Sequence, residues 1–128
     1  MWISKEHQYR LHVEDRAGYL YALIQADEDS FELSLAAVTE LAAICRVRKT
    51  VRLLVEHDIP SNLSAYEVYT IATQLPLLFQ GVEVGFVVHH SSIPENPKFL
   101  EDVARNRGGK GRLFASARDA EEWLRSRP

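Results

Sequence analysis

The chain has 128 residues, 46% of them hydrophobic and 26% charged, and its 15 basic against 18 acidic side chains leave a formal charge of −3. That profile fits one self-supporting globular domain: it is too short for two domains of ordinary size, too apolar for a disordered chain, and too evenly charged for the broad electropositive surface of a nonspecific nucleic-acid binder. A single cysteine, Cys45, excludes an internal disulfide framework and a cysteine-rich zinc module, and fits a reducing compartment.

The opening Met-Trp-Ile-Ser-Lys-Glu-His lacks the basic start and apolar run of a secretory signal, and no stretch approaches the ~20 apolar residues of a membrane span, so the expectation is a cytoplasmic protein. Tyr9, Leu11 and Val13 alternate with Arg10, His12 and Glu14, the period of two of a half-buried strand, here expected at a sheet edge. Asp15-Arg16-Ala17-Gly18 supplies turn chemistry, and Tyr19 to Ile24 runs apolar on both faces, so a hairpin opens the domain. A helix follows the acidic loop Asp27-Glu28-Asp29. Ser30 and Ser34 are both suitable caps, and Ser34 is the chosen start, with Leu35, Val38, Leu41, Ala42 and Cys45 as the inward stripe. Cys45 on that stripe reads as core filler, and Arg46, Arg48 and Lys49 complement the helix dipole.

Thr50 to Val55 is a β-branched, apolar strand that gives way to Glu56-His57-Asp58-Ile59-Pro60, where the proline ends the ladder. Ser64-Ala65-Tyr66-Glu67 is a capping-box sequence that starts a second helix with Ala65, Val68, Ala72, Leu75 and Phe79 inward; Pro76 predicts a kink or a break, and Gly81 the end. Val82 to Val88 reads as a central strand covered on both faces. Asn96-Pro97 opens a third helix that Gly108-Gly109 terminates. A short strand from Arg112 to Ala115 and a last helix with Ala120, Trp123 and Leu124 inward complete the chain. The order is ββαβαβαβα: one α/β domain over residues 1–128, core about 9–124, with a mostly parallel mixed sheet and helices packed on it.

In such a sheet, functional groups gather beyond the carboxyl ends of the parallel strands. His57, Asp58, His89 and His90 lie in those loops and carry the imidazole and carboxylate groups suited to a transition metal or to acid–base chemistry, but no compact ligand spacing accompanies them, and the expectation is polar loop chemistry with no catalytic residue, metal or cofactor. No nucleophile elbow, phosphate loop or dinucleotide fingerprint is present. Gly108-Gly109-Lys110-Gly111 follows a helix and precedes a strand, the reverse of a phosphate loop, and reads as a helix stop. Arg105, Arg107, Lys110, Arg112 and Arg118 read as a solvated basic face. Tyr66 and Tyr69 near the start of the second helix are suited to anchoring a partner.

The opening hairpin from Tyr9 to Ile24, the passage from Leu53-Leu54-Val55 through Asp58 to the helix at Ser64, and the tail Phe114-Ala115-Ser116-Ala117-Arg118-Asp119-Ala120-Glu121-Glu122-Trp123-Leu124 together resemble the STAS family over about Tyr9 to Leu124. The likeness is to its diverged anti-sigma-factor-antagonist-like branch, related in fold to the Sec14 lipid-transfer domains. It implies a non-enzymatic regulatory module that docks a partner protein. Asp58 matches the first acid of the family's Asp-x-Ser-Gly element, and Ser64 stands where the family's phosphorylated serine opens a helix; Pro60-Ser61 replaces Ser-Gly, Leu63 the flanking serine and Ala65 the glycine. The expected docking surface is Asp58, Ser61, Ser64, Tyr66 and Tyr69, with a regulatory protein as partner and Ser64 as its phospho-switch. The alternative is a small-ligand or lipid-binding domain with an apolar pocket between the second helix and the sheet. The strand at Tyr9 to Val13, as an edge, would also accept a second copy of the chain.

Overall fold

A computed structural model describes residues 2–4, 9–60, 63–89 and 110–126. Its elements are β1 (Trp2–Ser4), β2 (Tyr9–Arg16), β3 (Tyr19–Ala26), α1 (Phe31–Arg48), β4 (Arg52–Asp58), α2 (Ala65–Leu78), β5 (Glu83–Val88), β6 (Gly111–Phe114) and α3 (Ala117–Ser126). The helix expected from Asn96 to Gly108, together with Arg105 and Arg107, lies outside the described residues.

The six strands lie in chain order, β1-β2-β3-β4-β5-β6. The β1–β2 and β2–β3 pairs are antiparallel, and β3 through β6 are parallel. The sheet is thus mixed and mostly parallel, as the alternation of strands and helices requires. It holds one strand more than expected: β1 pairs outside β2, through Ile3 opposite Leu11, so Tyr9 to Val13 is an inner strand. Three residues are too few to show a period, which is why β1 escaped the pattern.

Both faces of the sheet are buried, for different reasons. On one, Leu11 and Val13 of β2, Leu20, Ala22 and Ile24 of β3, Leu53 and Val55 of β4 and Val84 of β5 meet Leu33, Ala37, Val38, Leu41 and Cys45 of α1 and, near the end of α2, Phe79. Several of these side chains are wholly buried, each worth about 1.5–3 kcal/mol relative to exposure. On the other, Tyr19, Tyr21, Leu54 and Val87 pack against Ala120 and Leu124 of α3. Gly85 permits that approach, since a Cβ there would stand 3.2 Å from the Ala120 Cβ.

Helix α1 starts one turn before the chosen Ser34. Ser30 is its N-cap, accepting from the Leu33 amide at 3.0 Å, and Ser34 is buried inside the helix. The helix ends at Lys49, a residue in the left-handed region at φ 56°, whose amide returns to the Arg46 carbonyl. Helix α2 carries its capping box as the sequence predicts. It runs through Pro76 to Leu78 without breaking in two and ends two residues beyond the proline, which offers no N–H to the Ala72 carbonyl.

Candidate functional site

Two polar clusters stand at the carboxyl ends of β3, β4 and β5, one on each face of the sheet. The period of two separates them: His57 shares a face with Val55 and α1, while Glu56 and Asp58 share the opposite one.

On the α1 face, Ser34 Oγ donates to Asp29 Oδ1 at 2.5 Å and stands 3.3 Å from His57 Nε2. The hydroxyl has one proton and the carboxylate takes it, so the contact to the imidazole uses Nε2–H as donor. His57 Nε2 also faces Asp29 Oδ2 at 3.7 Å. The Asp29 carboxylate is fully shielded from solvent, and its Oδ2 accepts no hydrogen bond among the described residues. A serine, a histidine and an aspartate in contact invite comparison with a nucleophilic triad. There, however, the imidazole bridges the other two through its two nitrogens, whereas here hydroxyl and carboxylate converge on the same one. Ser34 is 4% exposed, so no substrate reaches it. The trio ties the start of α1 to the end of β4.

On the other face, Glu56 joins two donors: Tyr21 OH at 3.0 Å through Oε1, and His89 Nε2 at 2.7 Å through Oε2. Burial and the neighbouring carboxylate hold the Tyr21 phenol well above its ordinary range, and the Arg16 guanidinium lies 3.8 Å over its ring. Tyr19 donates to Glu121 of α3; burial, then that bond, raises the phenol, while the same bond lowers the Glu121 carboxyl. Gln25 Nε2 donates to Asp58 Oδ2 at 3.1 Å.

The histidines singled out from sequence therefore do not share a site. The His89 amide reaches the His57 carbonyl at 3.0 Å, but the side chains leave on opposite faces, one to Ser34 and Asp29, the other to Glu56. His90 and Ser61 lie outside the described residues. No group of three His, Cys, Asp or Glu side chains gathers to hold a metal among the described residues. Asp29, Ser34, Tyr21 and Glu56 were missed, although Ser34 interrupts the apolar stripe that follows from a Ser30 cap, and Glu56 ends an apolar run at a position facing Tyr21 and Leu23.

Ser64 stands at the start of α2 with both polar groups committed: its Oγ accepts from the Glu67 amide at 3.1 Å, and its own amide donates to Glu67 Oε1 at 3.0 Å. One turn on, Tyr66 is 77% and Tyr69 37% exposed. Glu67 is the only charged residue between Ala65 and Leu78. Thr70 and Thr73, which share the solvent side with the tyrosines, turn their hydroxyls back to the carbonyls of Tyr66 and Thr70. Cys45 is buried, which pushes its thiol up to about 11. No described helix is long and apolar enough to cross a membrane.

No protein-family profile matches the sequence, and none of the curated proteins matches it. The fold does have solved counterparts. One is the crystal structure of an uncharacterized protein of the DUF3478 family from Shewanella loihica PV-4, described as having a SpoIIAA-like fold. The two superpose with a TM-score of 0.57 over 95% of this chain and 98% of the other, at 16% identity. This chain accordingly has a SpoIIAA-like fold, the α/β architecture that the resemblance seen in the sequence implies.

Proposed function

We propose that this chain is a non-enzymatic regulatory module that docks a partner protein through the surface at the start of α2 that carries Ser64, Tyr66 and Tyr69, just beyond Asp58 at the end of β4. The observation that carries this reading is the solvent side of α2, where two exposed tyrosines stand on a helix whose single charge, Glu67, is engaged in the cap. Aromatic enrichment with few charges is the composition of an interface core rather than of an ordinary wet surface. The SpoIIAA-like fold supports the same reading. Ser34 is buried and donates its proton to Asp29, so it offers no nucleophile to a substrate, which favours binding over catalysis.

Ser64 is the switch in this proposal. It is exposed, and a phosphate there would sit at the favourable end of the α2 dipole, yet it would also meet the Glu67 carboxylate and displace the capping box. Phosphorylation would thus reshape the surface beside Tyr66.

The test is to place a photo-crosslinking amino acid at position 66 in the intact protein inside its own cells, with the same group at the exposed Glu122 of α3 as comparison. One discrete crosslinked species at position 66, absent at 122 and lost on Tyr69→Ala, is expected. Equal crosslinking at both positions, or none at 66, refutes the docking surface.

A further inference from the structure

We infer that a second docking point, for an acidic protein segment bearing one bulky apolar side chain, lies at the opposite end of α2, in the cleft between the last turn of α1 and the α2–β5 turn. The cleft measures about 270 Å³ and is lined by Cys45, Arg46, Lys49, Val51, Leu78 and Val82 among others. The 14 residues of α2 span about 20 Å, which makes this surface separate from the one around Tyr66.

Three observations define the occupant. The first is charge: Arg46 and Lys49 line the cleft, no acidic side chain does, and neither cation has a carboxylate partner among the described residues, whereas the neighbouring Arg48 is held by Asp15 at 3.1 Å. Complementing the α1 dipole accounts for one or two cations here but not for the apolar surface they flank. The second is that surface: Val51 lines the cleft and is 64% exposed, and the apolar Leu78 and Val82 line it as well. An exposed large apolar side chain on an apolar-lined cleft, beside charge with no carboxylate partner among the described residues, is a marker of an interaction surface. The third is size. At about 270 Å³ the cleft falls below the roughly 300–1,000 Å³ that encloses a drug-sized ligand, yet it is concave enough to seat a single phenylalanine- or leucine-sized group. Concavity favours an inserted side chain over a flat anionic membrane surface.

The experiment uses the full chain, isotope-labelled, and a fluorescein-labelled peptide with one phenylalanine flanked on both sides by aspartates. The expected result is saturable binding by fluorescence anisotropy, weakened about tenfold by the double variant Arg46→Glu/Lys49→Glu and lost when the peptide's phenylalanine becomes alanine. Amide shifts should centre on Val51, Gly81 and Val82. Both substituted side chains are exposed, and a thermal melt of the double variant verifies that it folds. Failure to bind, binding indifferent to the charge reversal, shifts confined to Tyr66 and Tyr69, or preferential binding to phosphatidylglycerol vesicles would each overturn the assignment. Shifts confined to Tyr66 and Tyr69 would place the peptide on the first surface instead, and the other outcomes leave the crosslink at position 66 untouched, so the two surfaces stand or fall separately.

Discussion

Ser34 and Asp29 are joined by a 2.5 Å hydrogen bond across the first turn of α1, with the serine donating and His57 Nε2 3.3 Å from the same hydroxyl. Both residues are buried, so the bond neutralises part of a carboxylate that has no water to turn to. Ser34→Ala removes the donor and leaves the charge, which should cost about 2 kcal/mol of stability. The denaturation midpoint should fall with an unchanged slope. In Asp29→Asn the charge disappears with the acceptor retained, and the loss from adding Ser34→Ala to it should be smaller than in the parent. Equal losses in the two backgrounds would show that the carboxylate is not what the hydroxyl serves.

Three buried phenols hydrogen-bond to carboxylates: Tyr9 to Glu40, Tyr19 to Glu121 and Tyr21 to Glu56. Burial is the first cause of the upward shift in each, and together with the Glu40 carboxylate it takes Tyr9 to about 12. A phenol held protonated in the fold and released in the unfolded chain stabilises the fold below the ordinary phenol pKa of about 10, and that stability declines as pH rises toward the folded value. Between about pH 10 and 12 the unfolding free energy should therefore fall steeply. Tyr9→Phe should flatten that slope, measured by denaturant melts alongside tyrosinate absorbance. A slope that Tyr9→Phe leaves unchanged would assign alkaline unfolding to other groups.

Long elements were legible in the sequence because period and punctuation agreed: the alternation from Tyr9 to Val13, the Ser64 box with Glu67, and the doubly apolar run before Val88 each carry more than one signal. Shorter or competing signals misled. Ser30 and Ser34 are equivalent as caps by residue type, and only the packing of Leu33, Ala37 and Leu41 decides for Ser30. Convergence of His57 with His89 was unreadable for a geometric reason. Parallel strands bring the two backbones within a hydrogen bond of each other, but which face each side chain takes depends on the register of His57 opposite Val88. The cleft beside Lys49 was hidden because its lining comes from two stretches of chain, 42–51 and 78–82, that lie far apart in the sequence.

Lys49 pays a conformational cost for ending α1, since it is a non-glycine residue at φ 56°. Lys49→Gly should stabilise the protein by about 0.5–1 kcal/mol by relieving the Cβ. The same change removes one of the two cations of the cleft, so it should also weaken the aspartate-flanked peptide. Higher stability with lower peptide affinity in one variant would separate the two roles of this side chain, and a lower melting temperature would show that its contacts outweigh its backbone strain.

Ser64 is where cap and switch make opposite forecasts. If its hydroxyl serves only the Glu67 amide, Ser64→Ala should cost about 1 kcal/mol, while Ser64→Asp, itself a good cap, should cost less, although its charge faces Glu67. Crosslinking from position 66 would then follow stability, lower in Ser64→Ala than in Ser64→Asp. If the position instead governs docking through charge, the ranking inverts: Ser64→Asp keeps its stability yet loses the crosslink, and Ser64→Ala melts earlier yet retains it. Thermal melts and crosslinking yields on the same two variants therefore decide the matter, because stability and capture must part company for a switch and move together for a cap.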